Sequence, residues 1–358
     1  MSGFGGGLMA DLDLSRGIDQ KDLMATALVT DHLFWSTELR YSVAPRPRRH
    51  SGRAVDRPRI ETYARFRELP TLDYFGLGPT SPNSAFTFGE RELLAGASAS
   101  WPILGWLRLF ALAEYRRPLL EGGGNPRSVE RQFTEATAPG LTTQPHFVRY
   151  GLGTELRQPA EPPYAADATL DYSIFQDLDG GHSSFGQFRT TATWTTTFTR
   201  VTPSDTAAHG SLIDKVFCTS ATVRGCNYGA ITARGRLTIS NTFPGSTVPF
   251  YYQPTLGGTD IDGFDTLRGF TDYRFRAPDY WLGQLEYSRT LYGPLGWLAF
   301  YDIGKVALGT SQLDFNHVRQ DFGPGLVFQI AGHQLLRAYA GFGGGEGVEL
   351  ALKLTQHF

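Results

Sequence analysis

The sequence predicts an all-β protein, a transmembrane antiparallel β-barrel, and three observations support that fold class. Apolar and polar residues alternate with a period of two along the whole chain, without a helical apolar stripe of comparable length. Charged residues make up only 19% of the 358 residues, whereas glycines number 42 and aromatic residues reach 13%. Short and long connections follow one another between the alternating segments, as they do in membrane barrels.

Fifteen segments carry the alternation, and each could cross a bilayer as a tilted strand of roughly 9–11 residues. In the last one, Val348, Leu350 and Leu352 share one face, while Glu349 and Lys353 share the other. A soluble β-sandwich has the same alternation but strands of about 5–6 residues, so segment length favours a multi-pass membrane barrel. The segments lie near residues 5–16, 21–31, 33–44, 58–68, 85–101, 105–117, 146–158, 167–177, 185–200, 229–241, 280–291, 295–307, 318–330, 334–342 and 347–358.

The connections predict one barrel domain over residues 1–358 with its long loops on one side. If the short YGPLG turn is periplasmic, the three long connections are all external; they are 69–84, 118–145 and 242–279. A further long connection, 201–228, falls on the periplasmic side and breaks the pattern. It carries Cys218 and Cys226, for which two readings stay open: a small loop disulfide in an oxidising compartment, or two free thiols.

Two acidic residues face inward on the strands that the YGPLG turn joins, because strand parity puts Glu286 and Asp302 opposite the apolar set. A hairpin centred on this turn pairs the two carboxylates directly, and directly opposed like charges need a cation, a shared proton or a metal. The candidate cations are Arg234 and Arg236 on the preceding strand and Arg268 in the long loop. A guanidinium has a fixed fork of donors that suits two carboxylates.

The rest of the predicted inner face mixes both signs of charge. This mixture indicates a lumen with ion pairs around a plug or loop, or a wet pore without a strong charge preference. The inward set comprises Arg40, Arg65, Arg67, Arg108, Arg149, Arg157, Arg189, Arg234 and Arg236, with Glu38, Glu61, Glu92, Glu114, Glu155 and Glu349.

The ordered set PFYYQPTLGG, DTLRGFTDYRF, LEYS and FYDIGKV resembles the outer-membrane assembly and secretion barrels, which include BamA, TamA and the bacterial surface antigen proteins. The resemblance is dense over residues 249–358 and implies that the sixth external loop, here 242–279, folds into the lumen. Carried over residue by residue, the loop motif is Arg268, Gly269 and Phe270.

The same resemblance implies that Arg268 meets Glu286 and Asp302 as a structural brace, and that Phe358 is the C-terminal strand signal. Two features depart from the family pattern. The family barrel has sixteen strands, whereas fifteen segments are counted here with the first strand in question. The family usually carries periplasmic POTRA domains, which this sequence lacks, so a truncated sequence or a member without POTRA domains is expected.

The implied function is insertion or export of client polypeptides through a barrel seam or lumen. The partners would be outer-membrane lipids, unfolded outer-membrane or secreted polypeptides, and accessory lipoproteins. The alternative is a passive outer-membrane pore or the membrane anchor of a larger protein.

Other function classes find little support in the sequence. A net charge of −2 gives no electrostatic case for nucleic acid. The Gly-rich runs lack the Lys-Ser/Thr of a phosphate loop, and no His, Cys or acid spacing suggests a metal site. Ser183 and Ser184 follow His182, but no acid is placed to orient the histidine, so a polar turn is favoured over a hydrolase. We therefore predict no enzyme activity and no cofactor.

Overall fold

A computed structural model describes residues 5–15, 19–30, 33–45, 57–123, 126–158, 164–199, 228–292, 294–330, 333–343 and 345–354. Cys218, Cys226 and Phe358, with most of the 201–228 connection, lie outside the described residues. Among the residues described, no helix combines the length and apolar character that a membrane crossing requires.

The predicted fold class is confirmed, since fifteen strands of the described chain pair in sequence order within one antiparallel sheet. They are β1 (Gly5–Asp13), β2 (Asp19–Thr30), β3 (Trp35–Pro45), β4 (Arg59–Tyr74), β5 (Phe86–Leu104), β6 (Leu107–Gly122), β7 (Phe147–Arg157), β8 (Tyr164–Asp177), β9 (Phe185–Thr199), β10 (Tyr228–Thr242), β13 (Asp279–Tyr292), β14 (Leu295–Ala307), β15 (Arg319–Ile330), β16 (His333–Gly343) and β17 (Gly347–Leu354).

The other described elements are short and lie in connections. The strands β11 (Thr255–Leu256) and β12 (Phe275–Arg276) form a ribbon of their own within the β10–β13 connection. A one-turn helix, α1 (Val129–Gln132), and two 3₁₀ turns, Phe250–Tyr252 and Thr310–Gln312, complete the set.

Some strands continue past their predicted ends. β4 runs to Tyr74, so the prediction that a long loop begins at residue 69 was wrong, and the connection is 75–85. The physical reason is burial, because Leu69, Leu72 and Tyr74 pack in one apolar cluster with Phe250 of the β10–β13 connection. Because these side chains are buried against the loop, β4 continues as a strand beyond its predicted end.

The two faces of the sheet differ as the alternation predicts. On β9, Ala192 and Trp194 are exposed while the intervening Thr193 is half-buried. On β17, Leu350 and Leu352 are exposed, while Glu349, Ala351 and Lys353, which alternate with them, are half-buried. An outer surface with this much exposed apolar area is typical of a sheet whose outside meets lipid.

The sheet curls around the connection between β10 and β13, here named the lumen loop (residues 243–278). Near its tip, Asp262 pairs with Arg67 on β4 at 3.5 Å and Asp260 pairs with Arg236 on β10 at 3.2 Å. A third acid, Asp265, pairs with a lysine on β17. Contacts with strands so far apart in the sheet mean that the loop crosses the interior. Within the described residues, no backbone pairing joins β1 to β17.

The alternation generates a direct test on β9. Ala192→Arg puts a charge on the exposed face near the middle of the strand, where a charge facing lipid costs about 2–4 kcal/mol. Thr193→Arg, one residue along, faces the interior and should cost much less. The free energy of unfolding from phospholipid vesicles in urea measures both, and equal losses would contradict the assignment of faces.

Candidate functional site: an arginine loop in the lumen

A glycine pair lets the lumen loop turn back on itself. Gly257 and Gly258 both have positive φ, at 120° and 52°, which residues with a Cβ rarely adopt. A Cβ on Gly257 would also lie 2.5 Å from the carbonyl oxygen of Thr271. Two backbone hydrogen bonds of 2.8 Å join Gly258 to the later part of the loop: Gly258 N donates to Leu267 O, and Thr266 N donates to Gly258 O. These bonds fix the position of Leu267, and Arg268, which follows it in the chain, faces the barrel wall.

The central interaction of the site is a forked ion pair between the loop and β14. Arg268 donates from Nε to Oδ2 of Asp302 at 2.7 Å and from Nη2 to Oδ1 at 2.8 Å. Its third nitrogen, Nη1, donates to Glu286 on β13. The guanidinium carbon lies 3.8 Å from the ring centroid of Phe300. Arg268 is 3% exposed and Asp302 0%, so this charge-assisted pairing is dry and geometrically specific.

The two acids do not face each other directly, and that part of the sequence interpretation was wrong. In the ladder between β13 and β14, Asp302 lies opposite Gln284, and Glu286 lies opposite Phe300. The hairpin closes with Tyr292 opposite Leu295, one residue away from the predicted centre, and the register slips by one more residue between Thr290 and Tyr292, so the pairing differs by two residues from the symmetric hairpin. The acids are diagonal neighbours on the inner face, close enough for one guanidinium to reach both.

Sequence reasoning missed two charged residues beside this pair. Arg337 on β16 forms a second ion pair with Glu286. Asp321 on β15 lies directly opposite Asp302 in the ladder and is 1% exposed. Both have inward parity on their strands, so the alternation could have placed them on the correct face. It could not show their height, that is, their position along the barrel axis.

The two strand arginines considered as cations for the acids lie elsewhere on the inner face. Arg236 pairs with the loop residue Asp260, and its guanidinium carbon lies 4.6 Å from the ring centroid of Phe264. Arg234 lies opposite Gln284 in the ladder between β10 and β13. Of the three arginines that the sequence singled out, Arg268 contacts both acids.

Neighbouring charges keep Arg268 and Asp265 ionised despite their burial. Burial alone would lower the pKa of Arg268, but its hydrogen bonds with Asp302 and the charges of Asp302 and Glu286 hold that pKa above its usual range. For Asp265, burial favours the neutral acid, yet the charges of Lys353 and Arg337 and the hydrogen bond with Lys353 together lower the pKa. The stabilisation from Asp265 is therefore present at neutral pH and is lost only as the pH falls through that lowered pKa.

The glycine and phenylalanine after Arg268 seat the loop against the wall. A Cβ on Gly269 would lie 2.7 Å from Cβ of Asp321, and one on Gly341 would lie 2.5 Å from the carbonyl oxygen of Arg268. Only residues without side chains allow this approach of loop to β16. Phe270 is 2% exposed and packs edge-on against Phe275, with ring centroids 5.4 Å apart.

A second arginine of the same stretch anchors the outer part of the loop. Arg274 is 3% exposed and donates from Nε to Glu346, in the turn between β16 and β17, at 2.7 Å. It also donates from Nη1 to Oγ of Ser81 at 3.0 Å, and its guanidinium carbon lies 4.5 Å from the ring centroid of Phe275. Arg274 thus joins the lumen loop to two other external connections.

A run of alternating acidic and basic side chains lines the inner face of six consecutive strands, from β4 to β9. We name this run the ion ladder. Its successive pairs include Arg116 with Glu92 at 3.0 Å, Arg149 with Glu114 at 3.1 Å and Arg189 with Asp171 at 3.1 Å. Tyr252 of the lumen loop donates its hydroxyl to Glu92 at 3.3 Å. The members are Arg67, Glu92, Arg116, Glu114, Arg149, Asp171 and Arg189.

The site is built to hold a loop. Its groups are charged side chains, buried aromatic rings and glycines, which together fix the position of the loop against the wall. Within the described ranges, no group of three or more His, Cys, Asp or Glu side chains is arranged to hold a metal ion.

Solved structures similar to the chain include BamA from Haemophilus ducreyi lacking POTRA domains 1–3, with a TM-score of 0.56 at 12% identity over 98% of this chain and 69% of that one. CdiB from Acinetobacter baumannii gives a TM-score of 0.54 at 13% identity over 98% of this chain and 58% of that one. The fold is that of a BamA-like β-barrel. No protein-family model matches the chain. No curated protein sequence matches it significantly.

Removing the central arginine should destabilise the BamA-like barrel. Arg268→Ala leaves Asp302 buried without its partner, and breaking a buried pair from one side costs roughly 3–5 kcal/mol. Heat-modifiable gel mobility and protease digestion of the loop measure the effect. The control is Arg59→Ala, because Arg59 is half exposed in its pair with Glu61 and such pairs contribute about 0–1 kcal/mol. Equal behaviour of the two variants would contradict a bracing role.

The two facing aspartates, Asp302 and Asp321, should respond differently to replacement by asparagine. Asp302→Asn removes the charge that the guanidinium fork holds and should lower the urea midpoint of the folded barrel. Asp321→Asn replaces a second buried carboxyl group, directly opposite Asp302, by a neutral amide and should leave the midpoint unchanged or raise it. A larger loss for Asp321→Asn than for Asp302→Asn would contradict this account of the cluster.

Proposed function

We propose that this chain is an outer-membrane barrel that inserts or exports client polypeptides through a seam between its first and last strands or through its lumen. The observation that carries the proposal is the pair of sheet edges, β1 and β17, which the described residues leave without a backbone pairing between them. Unpaired edges present rows of backbone donors and acceptors, and a client strand could add to them.

A barrel that opens at its edges needs another source of rigidity, and the lumen loop could supply it. Arg268 ties the loop to Asp302 on β14 and Glu286 on β13. On the other side of the interior, Asp262 contacts Arg67 of the ion ladder. The loop thus braces the wall from within, which supports a barrel that keeps its shape when its edges separate.

The similarity of the fold to those of BamA and CdiB also supports this proposal. Enzymatic activity forms no part of the proposal. The proposed location is the bacterial outer membrane, with lipids around the exposed apolar face. Unfolded outer-membrane or secreted polypeptides would be the clients, and accessory lipoproteins would be further partners.

A passive pore, or a barrel that anchors a larger protein, is the second candidate. A polar cavity of about 350 Å³ on the inner wall supports the pore reading, since its lining includes Arg40, Arg59, Arg108, Glu38 and Glu155. Mixed charges of this kind suit a wet lumen without strong ion selectivity. The lumen loop argues against free passage because it crosses the same interior.

The experiment reconstitutes the chain in phospholipid vesicles and adds a urea-unfolded outer-membrane barrel protein as the client. We expect the client to reach its heat-modifiable folded form faster than in protein-free vesicles, because an exposed edge templates its first strand. Arg268→Ala should lose this acceleration, and Arg59→Ala should keep it.

The pore alternative predicts a different outcome. Planar bilayers that contain the chain would then conduct ions steadily, while client folding would proceed no faster than in protein-free vesicles. That combination would reject the insertion proposal.

A further inference from the structure

The last hairpin of the sheet, β16–β17, is held from inside by one carboxylate of the lumen loop. Asp265 forms an ion pair with Lys353 on β17 and approaches Arg337 on β16 at 3.9 Å. Tyr339 on β16 donates its hydroxyl to Oδ1 of Asp265 at 3.4 Å. Lys353 also donates to Oγ1 of Thr259, another loop residue, at 2.8 Å. Both strands of the hairpin therefore meet the loop at this point.

Further contacts fasten the same hairpin at other heights. Thr271 donates its hydroxyl to Glu349 on β17 at 3.3 Å. Arg274 donates to both carboxylate oxygens of Glu346, in the turn of the hairpin, at 2.7 and 2.8 Å. The loop thus contacts the hairpin from its external turn down to Lys353, near the end of the described strand.

The opposite edge of the sheet, β1, is more exposed than β17. Residues 6–13, which make up most of β1, are all exposed, whereas exposed and half-buried residues alternate on β17 from Val348 to Leu354. The inner face of β1 therefore lacks the cover that the loop gives to the inner face of β17. The two edges differ in how firmly the interior holds them.

We propose that the lumen loop is a latch for the terminal hairpin and that Asp265 is its positioning residue. The latch keeps the β17 edge in place, so that movement at the seam occurs at the β1–β2 hairpin. Arg268 anchors the loop to β13 and β14, and Asp265 joins the anchored loop to β17 at the edge of the sheet. The inference does not rest on the proposed function, because a pore or an anchor would have the same latch.

The test is hydrogen–deuterium exchange of the full chain in phospholipid nanodiscs, read by mass spectrometry for each strand. Asp265→Asn keeps the size of the side chain and removes its charge. We expect amide exchange over residues 347–354 to become about tenfold faster, while β5 and β6 stay unchanged, since strands open locally with their own free energies. Asp262→Asn is the matched control, because Asp262 lies on the same loop but pairs with Arg67 on β4. It should leave exchange over 347–354 unchanged.

A double-mutant cycle adds a readout that general destabilisation would not reproduce. Lys353→Gln should accelerate exchange over 347–354 as Asp265→Asn does, and the combined effect in the double variant should be smaller than the sum of the two single effects, since both substitutions break the same ion pair. The proposal fails if Asp265→Asn leaves these residues unchanged, if all strands accelerate together, if Asp262→Asn has the same effect, or if the two substitutions add independently.

Discussion

The forked pair between Arg268 and Asp302 is the interaction on which the interior depends. Both groups are almost completely buried, and either charge without the other would be strongly destabilising in that position. Once the pair forms, Gly269 and Phe270 lie against the wall, and the acids near the tip of the loop reach arginines on β4 and β10. The interior consequently combines ion pairs between the loop and the wall with buried apolar clusters, such as the one that Phe250 of the loop forms with Leu69 and Leu72.

Much of the wall and part of the site could be predicted because strand parity is a local property. Successive side chains point to opposite faces, so the sequence alone put Glu286 and Asp302 on the inner face. Their pairing could not be derived in the same way. It depended on where the turn closes and on an irregularity between Thr290 and Tyr292, which together shift the register by two residues without any marked change in composition.

The remaining anchors escaped prediction because parity does not give height. Arg274 and Glu346 are 72 positions apart, and Asp265 and Lys353 are 88 apart. Which of them meet depends on the tilt and stagger of the strands, a property of the whole curled sheet. The inner face of β16 and β17 could be listed from the alternation, but its loop partners required the folded structure.

The strand count within the described chain has a directional consequence. Neighbouring strands alternate in direction, so the first and the fifteenth members of the described meander, β1 and β17, point the same way. They could meet directly only as a parallel pair, whose hydrogen bonds are slanted and slightly weaker than those of an antiparallel pair. One intervening strand would be antiparallel to both edges at once. Any strand placed between these two edges would therefore run against β1 on one side and against β17 on the other.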